Sequence, residues 1–428
     1  MAIARQPRKS KSGLSVSATV LLALAFVFVL TTVASPAAHA QTYQVIHNFT
    51  GGGDGSTPNF GVLVDHGGNL YGTTYYGGDL HCIGGPAGCG VVFKLSHRAS
   101  GWLLASLYNF ELGNDGSAGD WLTFGPDGTL YGATTNGGGS NNCSGGCGTI
   151  FNLRPKASVC RSVLCYWQET QLHSFSGPDG IDPSSLVFDS HGNILGVAPM
   201  GGANNQGVVF ELTHSGGGWN FQMLYSFTGG LDGGFPIGPL VVDTLGNLYG
   251  TASFRGSNGG GTIFELSPSA SGWTETTLWA FGTQGTGTQP VSGLIVDSSG
   301  NLYGVTTMDL LGGPGVVFEL SSSVSGWVYQ ELYDLPGSGS NGAANGAPLA
   351  MDSVGNLYGT TQGGSGLGTV YKLTPSSGGW QYTLLHQFGG SDGWNPSCGV
   401  SFDASGNLYG TTALGGADGA GVVWEITP

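Results

Sequence analysis

Five Asp-Gly pairs recur at equivalent places in the chain, at Asp54-Gly55, Asp115-Gly116, Asp179-Gly180, Asp232-Gly233 and Asp392-Gly393. Carboxylates repeated at equivalent places supply hard oxygen ligands, so a ring of them would suit calcium or the hydroxyls of a sugar. Asp-Gly is also a favoured turn dipeptide, because Asp bonds nearby backbone N–H groups and Gly accepts positive φ. Trp121, Phe235 and Trp394 stand beside these pairs. They offer stacking area to a ligand or, if they point inward, fill a core. Asp120 and Asp182 lie close by, and with Asp115, Asp179 and Asp232 they are the carboxylates from which a hydrolase or lyase would draw an acid, a base or a metal ligand.

Other reactive side chains are few. Cys82 and Cys89, Cys143 and Cys147, and Cys160 and Cys165 form three close pairs, which in an exported chain read as local disulfides pinning insertions. Zinc is the minor reading, since the spacings give no clear second pair. Cys398 is left over, with no sign of an activated nucleophile around it. His66, His81, His97, His191 and His214 do not recur as a constellation. The sequence holds no G-x-S-x-G elbow, no H-E-x-x-H and no phosphate-binding glycine loop, so no catalytic residue is assigned.

A second acidic series has a structural meaning. Asp65, Asp189, Asp243, Asp297, Asp352 and Asp403 each stand three residues before a Gly, as in a hairpin turn opened by Asp and closed by Gly. One copy departs, with Gly125 in the Asp place and Asp127 inside the turn. The turn leads into Asn-Leu-Tyr-Gly or a variant, whose Gly falls at Gly72, Gly132, Gly196, Gly250, Gly304, Gly359 and Gly410, spaced 60, 64, 54, 54, 55 and 51. Periods near fifty belong to solenoids and propellers. Each period holds four short β-type runs and no helical periodicity, which is one propeller blade of four antiparallel strands.

The third run, of the type Gly-Val-Val-Phe, begins at Gly90, Gly148, Gly207, Gly261, Gly315, Gly368 and Gly421. In the fourth, Trp102, Trp167, Trp219, Trp273, Trp327 and Trp380 each precede an apolar residue by eight positions: Phe110, Phe175, Phe227, Phe281, Leu335 and Phe388. Even spacing predicts one face for both. The seventh copy of the fourth run is at the other end of the chain, at Tyr43 to Phe49. The expected fold is therefore all-β: a seven-bladed propeller whose N-terminal strand completes the C-terminal blade and leaves no open edge. Blades are expected at about 59–110, 119–175, 183–227, 237–281, 290–335 and 346–388, with 398–428 plus 41–49 as the last.

Residues 1–40 stand outside that pattern. Arg5, Arg8, Lys9 and Lys11 precede an apolar run that ends in Ala38-His39-Ala40, the layout of a cleaved secretory signal, so residues 41–428 are expected as the mature single domain. Removal leaves seven basic residues against twenty-six acidic ones, a formal charge of −19. Nucleic acid is excluded as a partner on charge, and no stable membrane insertion is expected after cleavage. The 82 glycines belong to turns, since ten Trp, sixteen Tyr and twenty Phe are far too many aromatics for a disordered chain.

The unit Asp-x-x-Gly-Asn-Leu-Tyr-Gly-Thr-Thr, followed by Gly-Gly and Gly-Val-Val-Phe-Glu-Leu, resembles the gloVer tandem repeat of exported bacterial proteins over essentially all of residues 43–428. The resemblance implies a secreted or surface protein and transfers no catalytic motif. Many members look as if they carry a C-terminal anchoring segment; this sequence ends Trp424-Glu425-Ile426-Thr427-Pro428. The expected function is a binding module, facing the periplasm, cell surface or medium, with a glycan or protein as partner. An extracellular hydrolase or lyase and a structural envelope protein are the alternatives. Calcium is the one cofactor the residues suggest.

Overall fold

Every blade opens on a hairpin that a single Asp holds closed. Asp243 Oδ1 accepts the backbone N–H groups of Leu245 and Asn247 at 2.8 and 2.9 Å, and its Oδ2 accepts the Asn247 side-chain amide at 2.8 Å and the Tyr249 hydroxyl at 3.2 Å. Asp65, Asp297, Asp352 and Asp403 repeat the arrangement. Asp189 lacks only the tyrosine, because Leu195 stands in its place. In blade two Asp127 takes over and bonds Thr129 and Tyr131. The Asn and Tyr of Asn-Leu-Tyr-Gly are thus ligands of the turn carboxylate.

The Gly of that motif makes room for a ring. It sits directly across the ladder from the aromatic residue of the third strand, as in Gly250 opposite Phe264. A Cβ there would lie 2.5 Å from Phe264 Cζ, and the same clash arises at Gly72, Gly132, Gly196, Gly304, Gly359 and Gly410 against Phe93, Phe151, Phe210, Phe318, Tyr371 and Trp424. Those rings form the middle of each blade and are fully buried.

The computed structural model describes residues 41–82, 87–156, 167–270, 272–283, 286–308, 314–324, 326–335, 343–344, 347–363 and 367–428. Thr42–Thr427 is one compact unit. Its strands form seven antiparallel sheets arranged as a ring, a seven-bladed propeller with no helix among the described residues. Blade four shows the order plainly: Gly234–Val242, Leu248–Phe254, Thr262–Ser269 and Gly272–Ala280 pair in sequence. In blades five and six the first strand is broken into two short pieces that pair with the same second strand. The last blade takes Ser401–Phe402, Leu408–Thr412 and Val422–Thr427 from the C-terminal end, and Thr42–Asn48 pairs antiparallel with Val422–Thr427 as its outer strand. Across the closure, Phe49 is fully buried with its ring edge-on to Phe93 of blade one, 5.2 Å between centroids.

One expectation from spacing is overturned. Trp102 and Phe110 face opposite neighbours: Trp102 packs back on Tyr409 of blade seven, while Phe110 packs forward on Phe151 of blade two. The reason is a β-bulge. Val92 pairs with Tyr108 and Phe93 with Ser106, so Leu107 is an extra residue that inverts the alternation halfway along the strand. The fourth strands of the other blades carry the same register shift, the N-terminal strand included. One strand therefore serves two interfaces, with its Trp for the preceding blade and its Phe or Leu for the next.

Candidate functional site

The loop entering each blade follows directly on the end of a fourth strand, so its Asp lies beside that strand's last residues. Asp232 accepts the Tyr225 hydroxyl at 3.0 Å and the backbone N–H groups of Thr228 and Gly230 at 2.7 and 3.1 Å. Asp115 does the same with Tyr108, Glu111 and Gly113. Asp54, Asp179 and Asp392 each meet a histidine instead, with Oδ2 at 3.3, 2.9 and 2.9 Å from Nε2 of His47, His173 and His386. Burial lowers the pKa of His47 and His386 against the opposing pull of their Asp partners, whose carboxylates face Nε2 of each ring. Burial works to raise Asp179, but the bonds from His173 and Ser176 outweigh it and hold its carboxyl below the ordinary value. Each of the five carboxylates is held by donors from the end of the preceding fourth strand and from its own entering loop. No three of the described His, Cys, Asp and Glu side chains gather around a common point where an ion would sit.

Two other carboxylates do come together. A cavity of about 300 Å³ is lined by Phe60 from blade one, Asp120 and Trp121 from blade two, Asp182, Ser184 and Ser185 from blade three, and by residues of blades four to seven, among them Ile237, Val291, Pro348 and Ser397. Every blade contributes from or just ahead of its first strand. The cavity therefore lies on the propeller axis, where the innermost strands converge, towards the end that the entering loops feed.

Burial drives the chemistry of this cavity. Asp120 is 5% exposed. Burial raises its carboxyl to about 8, the backbone N–H of Trp121 opposing and the charge of Asp182 adding to the rise. Asp182 is raised to about 6 by burial. Near neutral pH the pair therefore holds one proton on Asp120 and little on Asp182, so one carboxyl donates while the other accepts. Asp182 is also held in the left-handed region, at φ +63°, and its N–H donates to the carbonyl of Cys147 at 3.0 Å. Strain of that kind persists where surrounding structure imposes it. Here the Cys143–Cys147 disulfide braces the residue that supplies the carbonyl.

Ser184 and Ser185, 7% and 4% exposed, line the same cavity, and neither hydroxyl has a hydrogen-bond partner within the protein. Sequence reasoning singled out Asp120, Asp182 and Trp121, and passed over Ser184, Ser185 and Phe60. These last lie at the starts of first strands, where the residue type varies from blade to blade, so no repeat signal marks them. Trp121 and Phe60 are neighbours at the cavity wall, 6.1 Å between centroids. Trp394 sits in the entering loop of blade seven, 45% exposed. Phe235 packs edge-on to Phe254 in blade four. Cys82 and Cys89 form a second disulfide, Cys398 is free and buried, and Cys160 and Cys165 lie outside the described residues.

The profile of the Gloeobacter/Verrucomicrobia repeat matches residues 143–364 and 315–428, well over half of the chain. The chain belongs to this repeat family. No curated protein matches it at a significant level. Among solved structures, the extracellular domain assigned to a hybrid two component system of B. thetaiotaomicron is similar with a TM-score of 0.53 at 11% identity, covering 90% of this chain and 39% of that one. An ulvan lyase described as a new polysaccharide lyase family gives a TM-score of 0.45 at 11% identity, covering 86% and 94%. At such identities the likeness speaks to the fold. In this Gloeobacter/Verrucomicrobia repeat protein the residues shared by the blades build hairpins and blade interfaces, whereas the polar and aromatic side chains of the axial cavity, Phe60, Asp120, Trp121, Asp182, Ser184 and Ser185, come from positions whose residue type varies from blade to blade.

Proposed function

We propose that the protein is an exported binding module, and that an extracellular carbohydrate or protein docks on the face fed by the entering loops. The observation that carries this reading is the axial cavity near that face, lined by residues of all seven blades. Trp394, Tyr76 and Phe254 lie exposed on loops or strand ends of the same side, and such aromatics supply contact area at low entropy cost. Two disulfides pin the loops between second and third strands in blades one and two, which suits an oxidising compartment such as the periplasm, the cell surface or the medium. Residues 1–40 would direct export and be removed before Gln41.

The test is a glycan array, with protein pull-down beside it, using chain purified from the secreted fraction. Trp394→Ala should weaken capture about tenfold, the scale of one aromatic contact. Unchanged capture by that variant, or export with residues 1–40 retained, overturns the corresponding part of the reading.

The pairing of Asp120 with Asp182 favours a second reading, a hydrolase or lyase. Two carboxyls whose environments push their protons apart are the usual acid and base of glycosidic cleavage. Release of new saccharide ends by the parent chain, abolished in Asp182→Asn, would support it. Absence of any product from every glycan that the array retains sinks it.

A further inference from the structure

We propose that the axial cavity takes one uncharged sugar ring, presented end-on as the terminal residue of an extracellular glycan, with Asp120, Asp182, Ser184 and Ser185 bonding its hydroxyls and Trp121 with Phe60 covering its apolar face. The inference rests on the binding-module reading and adds to it a site, a ligand class and an orientation.

The two serines point first to a ligand. A buried hydroxyl without a partner has given up its bonds to water and received none in return, which destabilises the folded protein. Ser184 and Ser185 are adjacent, both more than nine-tenths buried, and both unpartnered within the protein at the wall of the same cavity. A hydroxylated guest satisfies both, because hydroxyls donate and accept equally well. The carboxyls extend the match. Asp120 in its acid form donates one bond, and ionised Asp182 accepts from one or two sugar hydroxyls. The rest of the wall is aromatic or aliphatic, with Phe60, Trp121, Pro199, Ile237 and Pro348 among it, and suits the C–H face of a pyranose.

Other guests fit less well. An anionic ligand would meet Asp182 and a strongly acidic protein. A bare metal ion wants six to eight oxygens at close range, and no third acidic side chain joins the pair. A cavity of about 300 Å³ is at the small end of ligand sites, so one ring fits where a longer segment does not. Because all seven blades ring the cavity, a ligand enters only along the axis. A chain end can do so; the middle of a polymer cannot.

Calorimetry on the purified, disulfide-intact protein would use glucose, galactose, mannose, rhamnose and N-acetylglucosamine, each as the methyl glycoside. At least one should bind. Ser184→Ala and Ser185→Ala should each weaken it about tenfold while leaving the melting temperature of the free protein unchanged or higher, since they delete unpartnered groups. A merely structural serine would show neither. Asp182 is the one other titratable side chain at the cavity wall, so the pH profile reports this pair. Affinity should rise as Asp182 ionises through about 6, hold near neutrality and fall as the pH rises through about 8, where Asp120 ionises and stops donating. Asp120→Asn keeps a donor and should bind with that fall abolished; Asp120→Ala should lose binding.

Binding of a sugar with affinity unaltered in both serine variants overturns the cavity assignment and leaves the module reading standing. So does an array ligand lost in Trp394→Ala alone. Failure of all five glycosides overturns the inference, and failure of the array and pull-down as well overturns the module reading beneath it.

Discussion

At the scale of single residues the protein separates groups that build blades from groups that leave the blades unsatisfied. Gly250 is of the first kind: its missing Cβ is the space that Phe264 occupies. Gly250→Ala should destabilise the protein by about 1–3 kcal/mol through overpacking. Combining it with Phe264→Leu should cost less than the sum of the two single changes, because the smaller side chain gives up the contested space. Additive costs in urea denaturation would contradict the ring-over-glycine packing. Asp120 is of the second kind. Its folded pKa of about 8 is raised above the unfolded value near 3.8, so the folded state binds the extra proton between those limits. The stability it contributes is complete below about pH 4 and is lost as the pH rises through about 8. Asp120→Asn should therefore match the parent near pH 4 and exceed it increasingly towards pH 8, by a gap on the order of 5 kcal/mol. A gap that does not widen with pH would show that the carboxyl is not buried as described.

At the scale of the element, the opening hairpin and the fourth strand behave differently as objects for prediction. In the hairpin one carboxylate gathers two backbone and two side-chain donors within six residues, so sequence alone displays the whole device. Asp297 shows its energetic sign. Burial works to raise its pKa, but bonds from Asn301, Ser299 and Tyr303 outweigh that and lower it. A lowered group gives stability that is present above the unfolded value and lost as the pH falls through the folded one. Asp297→Ala should cost about 1–3 kcal/mol at pH 7, and the difference from the parent should shrink in thermal melts as the pH falls below the ordinary carboxyl value of 3.8. A constant difference would mean the charge does not matter there. The fourth strand conceals its arrangement. Counting by twos from Trp102 to Phe110 puts both on one face, and the extra residue Leu107 turns them apart. A bulge depends on how two strands pair, which residue types in one of them do not reveal. The cavity was hidden for a related reason. Its adjacent serines come from blade three and Phe60 from blade one, brought together only by the ring, whereas the turn aspartates repeat and stand out.

At the scale of the whole molecule, ring closure decides both stability and site. Thr42–Asn48 is the outer strand of the last blade, with Tyr43 stacked on His386 of blade six at 3.6 Å and its hydroxyl donating to the Asp392 carbonyl at 2.6 Å. Phe49 then continues the series of buried rings into blade one. Without these residues Val422–Thr427 would present an open edge, and the Tyr43 and Phe49 contacts on both sides would be lost together. Phe49→Ala should cost about 3–5 kcal/mol, the scale for a buried aromatic truncated to a methyl group, and Tyr43→Ala, at a half-buried position, should cost less. Deleting residues 41–49 should cost more than either and should also weaken any ligand of the axial cavity, since Ser397 of blade seven forms part of its wall. Removing the Cys82–Cys89 bridge by a double Cys→Ala change is the matched control. It closes a loop of seven residues between strands and touches no blade interface of the last blade, so its loss should lower the melting temperature by less than the strand deletion. The reverse order would mean that the ring is held by its loops, and the paired strands at the seam would then be a consequence of closure instead of its cause.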